Sequence, residues 1–126
     1  MEGGCTCGEI RYCIDGDPVL SLICFCNACL SSFGCDGYPG MMIKDEDFKV
    51  SEGTPGKFAR NSDSGRQVVL HFCSNCGTSL WGQTELGMVS IAAGILDEPN
   101  LFNPTKAVFT SQAPNWARIP HNLELE

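Results

Sequence analysis

Nine cysteines among 126 residues constrain this chain more than any other feature of its sequence. Secreted disulfide frameworks reach such a density, but they are usually shorter and carry an even number of cysteines behind a signal segment. Here the count is odd, and the opening Met-Glu-Gly-Gly-Cys has no basic or apolar segment. Closely spaced cysteines in a reducing compartment more often bind metal. We therefore expect a cytoplasmic protein whose cysteines ligate metal ions rather than form disulfides.

The segment Cys73-Ser-Asn-Cys76-Gly77 is a C-x-x-C-G knuckle that directly follows an apolar run. Two thiolates at this spacing hold one zinc ion, and the glycine permits the tight turn that aims backbone N–H groups at the sulfurs. A closed tetrahedral site needs four ligands, and Cys5-Thr-Cys7 supplies a second pair. We predict a structural zinc site on these four cysteines. The alternative is a free or oxidised Cys5–Cys7 pair near the N-terminus.

A second cluster, Cys24-Phe-Cys26-Asn-Ala-Cys29, places three thiols within six residues. Three protein ligands with a fourth position open are typical of a catalytic zinc. That position can take water or a substrate thiol, and zinc is soft enough to prefer thiolate. We predict a second, catalytic zinc on Cys24, Cys26 and Cys29. The alternative is a structural site that Cys35 closes.

The remaining cysteine and histidine residues are weaker candidates for a functional site. Cys13 lies in an alternating segment and is predicted to be a buried apolar residue. The two histidines are His71 and His121. The simplest interpretation is that His71 is packed or exposed and that His121 lies in the C-terminal tail. A role for either at the second cluster is left open. The chain contains no G-x-S-x-G elbow and no G-x-x-x-x-G-K-[ST] phosphate loop.

The charge distribution argues against polyanionic partners. The formal net charge is −7, and the eight Lys and Arg residues are scattered along the chain. Surfaces that bind phosphate backbones need clustered Lys and Arg. No apolar run approaches the roughly 18 to 20 residues that cross a bilayer. We therefore expect neither nucleic acid nor membrane as a partner, and the sequence leaves the oligomeric state undetermined.

Short β-type runs alternate with Gly, Pro, Asn and Asp along the whole chain. They predict one mainly β domain over residues 1–126, built from about eight short antiparallel strands with one or two short helical turns. In the first run, Ile10, Tyr12 and Ile14 share one face. The best helix candidate is 27–33, and a single turn is expected at 97–100. The predicted strands are 8–15, 19–24, 40–44, 48–51, 57–61, 68–72, 79–83, 88–93 and 107–110.

The three cysteine motifs, in this order, resemble the glutathione-dependent formaldehyde-activating enzyme family. Gly-Gly before Cys5, Gly-x-Ile-Arg-Tyr after Cys7 and Gly-Thr-x-Leu after Cys76 are part of the resemblance, as are Ile-Leu-Asp-Glu-Pro at 95–99 and the segment at 109–116. The resemblance implies an Mss4-like zinc-binding β-sheet fold. It also implies a structural zinc on Cys5, Cys7, Cys73 and Cys76, and a catalytic zinc on Cys24, Cys26 and Cys29.

The reaction implied by the resemblance joins glutathione and formaldehyde into S-hydroxymethylglutathione, which is a carbon–sulfur lyase reaction run in reverse. Members often carry a polar residue where this chain has Phe25, a basic residue where it has Leu30, and Ala where it has Cys35. Glutathione has two carboxylates, so the missing positive charge disfavours that thiol. Our leading hypothesis is an S-(hydroxymethyl)glutathione synthase-like lyase acting on a small thiol and an aldehyde. The alternative is a zinc-stabilised binding module with both metal sites structural.

Overall fold

The chain forms two β-sheets and one α-helix, as a computed structural model that describes residues 1–62 and 64–126 shows. The mainly β prediction is confirmed. The helix α1 spans Asn27–Phe33 as predicted, and four 3₁₀ turns lie in the described part of the chain. The strands are β1 (Glu2–Gly4), β2 (Arg11–Ile14), β3 (Leu20–Cys24), β4 (Tyr38–Lys44), β5 (Phe48–Glu52), β6 (Gly56–Asn61), β7 (Gln67–Phe72), β8 (Ser79–Gln83), β9 (Met88–Ala92), β10 (Lys106–Val108) and β11 (Glu124–Leu125).

The small sheet has the strand order β1-β2-β5, and the large sheet has the order β11-β10-β3-β4-β9-β8-β7-β6. All pairings are antiparallel except those of β10, which runs parallel to both β3 and β11. The described strands number eleven rather than about eight, and nine of them overlap the nine predicted segments. The two unpredicted strands, β1 and β11, are three and two residues long and too short to show a period of two. The predicted turn at 97–100 forms at Pro99–Leu101 instead.

The inner face of the large sheet packs against the small sheet. Ile10, Tyr12 and Ile14 are buried together, which confirms the predicted common face. Trp81 of the large sheet meets the ring of Tyr12 edge-on, with 5.9 Å between the ring centroids. Trp81 in β8 pairs with Ile91 in β9, and both side chains are buried in this core. The core therefore lies between the two sheets and beside the N-terminal strands.

The opposite face of the large sheet bears α1, and we call it the helix face. Tyr38 pairs with Cys24 across β4 and β3, and its hydroxyl donates a hydrogen bond to the carbonyl of Ser90. The ring of Tyr38 covers Gly40, where a Cβ would approach the ring to 2.6 Å. Phe33 at the end of α1 packs on Tyr38 with centroids 4.4 Å apart. This aromatic contact holds the helix on the sheet and its first turn at the end of β3.

Two of the sequence motifs contact each other in the fold. The guanidinium of Arg11 in β2 donates two hydrogen bonds to the carboxylate of Asp97, and these bonds, together with its charge, hold the pKa of that carboxyl below its usual value. Gly3 forms a bridge with Leu96 next to this pair. The Ile-Leu-Asp-Glu-Pro segment thus anchors the N-terminal sheet, which carries the first two cysteines.

Cys13 differs from its prediction. It lies between Tyr12 and Ile14 on the other face of β2 and is half-buried rather than buried. The described helices include none that is both long and apolar enough to span a bilayer.

Candidate metal centres

The sulfurs of Cys5, Cys7, Cys73 and Cys76 all lie within 4.8 Å of one another. The Sγ atoms of Cys5 and Cys7 are 3.5 Å apart, and those of Cys7 and Cys73 are 3.7 Å apart. A tetrahedral zinc site with Zn–S bonds of about 2.3 Å has S–S edges of about 3.8 Å. The donor set and its spacing therefore fit one zinc ion, and we call these residues the four-cysteine cluster.

Each half of the four-cysteine cluster is a tight turn that ends in a left-handed glycine. The carbonyl of Cys5 accepts from the N–H of Gly8, and the carbonyl of Cys73 accepts from the N–H of Gly77. The φ angles of Gly8 and Gly77 are +83° and +80°, a conformation that side-chain-bearing residues rarely adopt. These turns aim backbone N–H groups at the sulfurs: Ile10 donates to Cys5 Sγ at 3.2 Å.

Threonine hydroxyls link the two turns. Thr78 Oγ1 lies 3.1 Å from Cys76 Sγ, accepts from the N–H of Thr6, and donates to Thr6 Oγ1. The contact with Thr78 lowers the pKa of Cys76 to about 5. A thiol that ionises below neutral pH is ready to ligate a cation. The network joins residue 6 to residue 78 and so holds the two cysteine pairs together.

The sulfurs of Cys24, Cys26 and Cys29 form the second group, again within 4.8 Å of one another. We call it the three-cysteine cluster. Cys24 is the last residue of β3, Cys26 is the N-cap of α1, and Cys29 is in its first turn. The N–H of Cys29 donates to Cys26 Sγ at 3.3 Å, so the cap itself brings two of the sulfurs together.

Two contacts from elsewhere in the chain fix the three-cysteine cluster in place. Phe25 is fully buried, and its N–H donates to the carbonyl of Val108 in β10. The N–H of Asn27 donates to the side chain of Gln112 at 3.0 Å. Residues in and after β10 thus hold the chain where it passes from β3 into α1. These contacts fix the relative positions of the three cysteines.

Contacts among the three thiols shift their pKa values in opposite directions. Hydrogen bonds from Cys24 and Cys29 lower the pKa of Cys26. The contact with Cys26 raises the pKa of Cys24 to about 11, and the contacts with Cys24 and Cys26 raise the pKa of Cys29 above its usual value. Ionisation is thus favoured at Cys26 and opposed at Cys24 and Cys29, and a nearby cation would promote it at all three. A divalent metal ion bound by all three supplies that charge, so the donor set fits zinc.

Cys35 does not belong to either group. It packs beside Cys24 and Tyr38, and its N–H donates to the carbonyl of Leu30, but its sulfur lies outside the 4.8 Å cluster. A tetrahedral site has all its ligand sulfurs about 3.8 Å apart. The geometry therefore favours a three-cysteine site over one that Cys35 closes.

We expect Cys35→Ala to keep the metal content and chelator resistance of the unsubstituted protein, because the Cys35 sulfur lies outside both groups. Metal content per chain by elemental analysis and the rate of metal loss to a colorimetric chelator measure this. Cys13→Ala is the matched control at another cysteine outside the groups. Loss of one metal ion in Cys35→Ala alone would show that Cys35 closes the site.

The histidines lie away from both cysteine groups. His71 is half-buried on the inner face, stacked on Trp81 with centroids 5.2 Å apart, and burial lowers its pKa. His121 is exposed near the C-terminus. Neither belongs to a cluster of metal-binding groups within the described residues.

Sequence reasoning did not single out Arg60, whose charge also favours the thiolate of Cys26. The positive charge of Arg60 in β6 contributes to the lowered pKa of Cys26, after the hydrogen bonds from Cys24 and Cys29. Arg60 lies 31 residues beyond Cys29 and in no motif, so spacing along the chain carried no signal for it.

The sequence profile of the glutathione-dependent formaldehyde-activating enzyme family matches residues 1–112. The chain belongs to this family. The match includes all seven cysteines of the two clusters, and the family description names glutathione-dependent activation of formaldehyde. The two clusters give this member two groups of cysteines that could each hold a metal ion.

The fold of this family member is similar to that of a Rhodobacter sphaeroides protein of known crystal structure. The TM-score is 0.61 with 18% sequence identity, over 82% of this chain and 97% of the other. At that identity the similarity concerns the fold alone. No curated protein matches the chain.

Proposed function

We propose that this protein joins glutathione to formaldehyde and releases S-hydroxymethylglutathione, with the three-cysteine cluster as its reaction centre. The observation that carries the proposal is the convergence of Cys24, Cys26 and Cys29, without a fourth His, Cys, Asp or Glu in their group among the described residues. Three ligands are the number that leaves one position for a substrate atom. Family membership supplies the two substrates.

A zinc ion held by these three cysteines would supply Lewis-acid stabilisation of a substrate thiolate near neutral pH. The chain orients the ligands for this role: the N-cap bond keeps Cys26 and Cys29 adjacent, and the burial of Cys24 excludes water from one side. The glutathione sulfur adds to the carbonyl carbon of formaldehyde and forms the C–S bond. The carbonyl electron pair moves to oxygen, which takes up the proton that the thiol released. No strong acid or base is required, because the aldehyde is already electrophilic.

The four-cysteine cluster has a different role in this proposal. Four thiolates would fill a tetrahedral zinc site and leave no position for a substrate, so a zinc ion held there would be structural. It would join the turn after β1 to the knuckle after β7 and stabilise the packing of the small sheet on the large one. The chain thus separates a metal site for stability from one for chemistry.

A zinc-stabilised binding module is the second candidate. Trp116 is 69% exposed and borders a groove of about 530 Å³ together with Leu30, Cys35 and Pro114. An exposed tryptophan beside apolar neighbours is typical of a surface that contacts a partner. In this case both metals are structural and no product forms.

Product formation distinguishes the two candidates. The metal-loaded protein is mixed with glutathione and ¹³C-labelled formaldehyde, and exchange into S-hydroxymethylglutathione is followed by NMR against the uncatalysed reaction. We expect exchange faster than the uncatalysed rate, two zinc ions per chain, and one of them labile to a chelator but retained when glutathione is present. An uncatalysed exchange rate with both clusters loaded would refute the lyase and favour the module.

A further inference from the structure

A cavity of about 280 Å³ lies between β5 of the small sheet and the inner face of β6, β7 and β8. Lys57 pairs with His71, and His71 pairs with Trp81, so these three side chains stand in one row across the strands. Gln83 lies two residues after Trp81 and shares its face, and Phe48 lines the cavity from β5. The described residues that line it belong to neither cysteine cluster. We call it the aromatic cavity.

Three rings form the walls of the aromatic cavity. Phe48 meets Trp81 edge-on, with centroids 4.8 Å apart and an angle of 69° between the ring planes. His71 stacks on Trp81, and its Nδ1 donates to the carbonyl of Val69 at 3.1 Å, because a carbonyl oxygen can only accept. Burial, and then the charge of Lys57, lower the pKa of His71, so its ring is neutral near pH 7. Rings at a steep angle form a corner into which a flat aromatic molecule fits.

The polar groups of the aromatic cavity select the charge of its ligand. Lys57 is the one charged residue among the described residues that line it, and it takes part in neither ion pair of that part of the chain. Aromatic walls attract cations, but Lys57 repels them and attracts a carboxylate instead. Gln83 donates through Nε2 to the carboxylate of Asp45 at 2.7 Å, so its amide oxygen is the group left to accept a hydrogen bond.

We propose that the aromatic cavity binds a small aromatic carboxylate that carries a hydroxyl group, such as a hydroxybenzoate. The ring of the ligand lies against Phe48 and Trp81, its carboxylate pairs with the ammonium group of Lys57, and its hydroxyl donates to the amide oxygen of Gln83. The volume suits a single ring, because pockets for small ligands begin at about 300 Å³. This inference goes beyond the proposed function and uses neither cysteine cluster.

Titration of the metal-loaded, ¹⁵N-labelled protein with 4-hydroxybenzoate tests the inference by NMR. The chain has two tryptophans, Trp81 in the aromatic cavity and Trp116 in the groove beside α1. We expect the indole N–H signal of Trp81 to shift with a dissociation constant of roughly 0.1–1 mM, as is usual for a ligand of this size. The signal of Trp116 should stay in place, and Trp116→Phe assigns the two signals.

Lys57→Gln should weaken the binding of 4-hydroxybenzoate about three- to tenfold, because an exposed charged partner of the carboxylate is lost. The neutral isostere 4-hydroxybenzamide should bind Lys57→Gln and the unsubstituted protein equally. The matched control is Lys49→Gln, since Lys49 is exposed beside Phe48 in β5 and does not line the cavity. Its loss changes the net charge equally and should leave the binding of 4-hydroxybenzoate unaltered.

Benzoate tests the hydroxyl contact, because it keeps the carboxylate but has no hydrogen-bond donor. It should bind the unsubstituted protein about two- to tenfold more weakly than 4-hydroxybenzoate. Gln83→Met should bind both ligands equally, since a thioether is only a weak acceptor. Unaltered metal content and thermal unfolding of Lys57→Gln and Gln83→Met would exclude misfolding.

The inference is overturned if the Trp81 signal shows no saturable shift below about 10 mM ligand, or if the Trp116 signal shifts in its place. It is also overturned if Lys49→Gln weakens binding as much as Lys57→Gln, or if phenyltrimethylammonium binds more tightly than 4-hydroxybenzoate. Product formation from glutathione and formaldehyde is measured separately. Its absence would refute the lyase alone, and absent binding of 4-hydroxybenzoate would refute this site alone.

Discussion

Cys73→Ser is expected to remove the metal from the four-cysteine cluster and to unfold the protein. Cys73 is 1% exposed and belongs to the core between the two sheets, so its loss affects the metal site and the core together. Structural zinc sites contribute about 10–16 kcal/mol in small zinc-dependent peptides. Whole domains are stable by only about 5–15 kcal/mol. Circular dichroism melts and metal content per chain measure the effect.

The control for Cys73→Ser is Cys13→Ser. Cys13 is half-buried in β2 and lies outside both clusters, so this change should keep both metals and the cooperative melt. If Cys73→Ser also keeps its first metal and melts within a few degrees of the unsubstituted protein, the four-cysteine cluster does not hold the fold together.

Cys26→Ser is expected to abolish product formation but to keep the fold. Serine is a favoured N-cap, so its hydroxyl can accept the Cys29 N–H in place of the sulfur and preserve α1. The three-cysteine cluster loses one of three ligands. Substitution of residues that only support metal ligands already lowers metal affinity or activity about 10- to 100-fold. Because Cys26 is itself a ligand in this proposal, we expect its substitution to lower the rate of product formation more than about 100-fold. NMR exchange rates and metal content measure both effects.

Cys35→Ser is the matched control, since Cys35 packs beside the cluster without joining it. It should keep the activity and both metals. Full activity of Cys26→Ser after loss of the second metal would show that the reaction proceeds without the three-cysteine cluster.

Local sequence was sufficient for most elements and for the closeness of the sulfurs within each cysteine motif. The helix at 27–33 and the strand at 79–83 were predicted with their observed bounds, because strand periodicity and turn residues act over a few neighbours. The spacing C-x-C, C-x-x-C and C-x-C-x-x-C selected the same seven cysteines that the fold brings together. Tight spacing keeps the sulfurs of each motif close in almost any compact turn, but the contact between the Cys5–Cys7 pair and the Cys73–Cys76 pair is made by the tertiary fold.

Other features depended on pairing between distant segments. Strand β10 returns to pair in parallel with β3, and β11 then pairs in parallel with β10. Both strands are only two or three residues long, so their sequences do not indicate which strand each will pair with. The αL cap at Gly34 ends the helix after Phe33, and Cys35, the next residue, lies outside the three-cysteine cluster.

The sequence by itself determined which residues could hold metal, because thiol spacing is a local property. The tertiary structure alone decided what surrounds the three-cysteine cluster. Phe25 bonds to Val108 and Asn27 bonds to Gln112, both more than 80 residues further along the chain. These contacts depend on the return of β10 to β3, which no short window of sequence encodes.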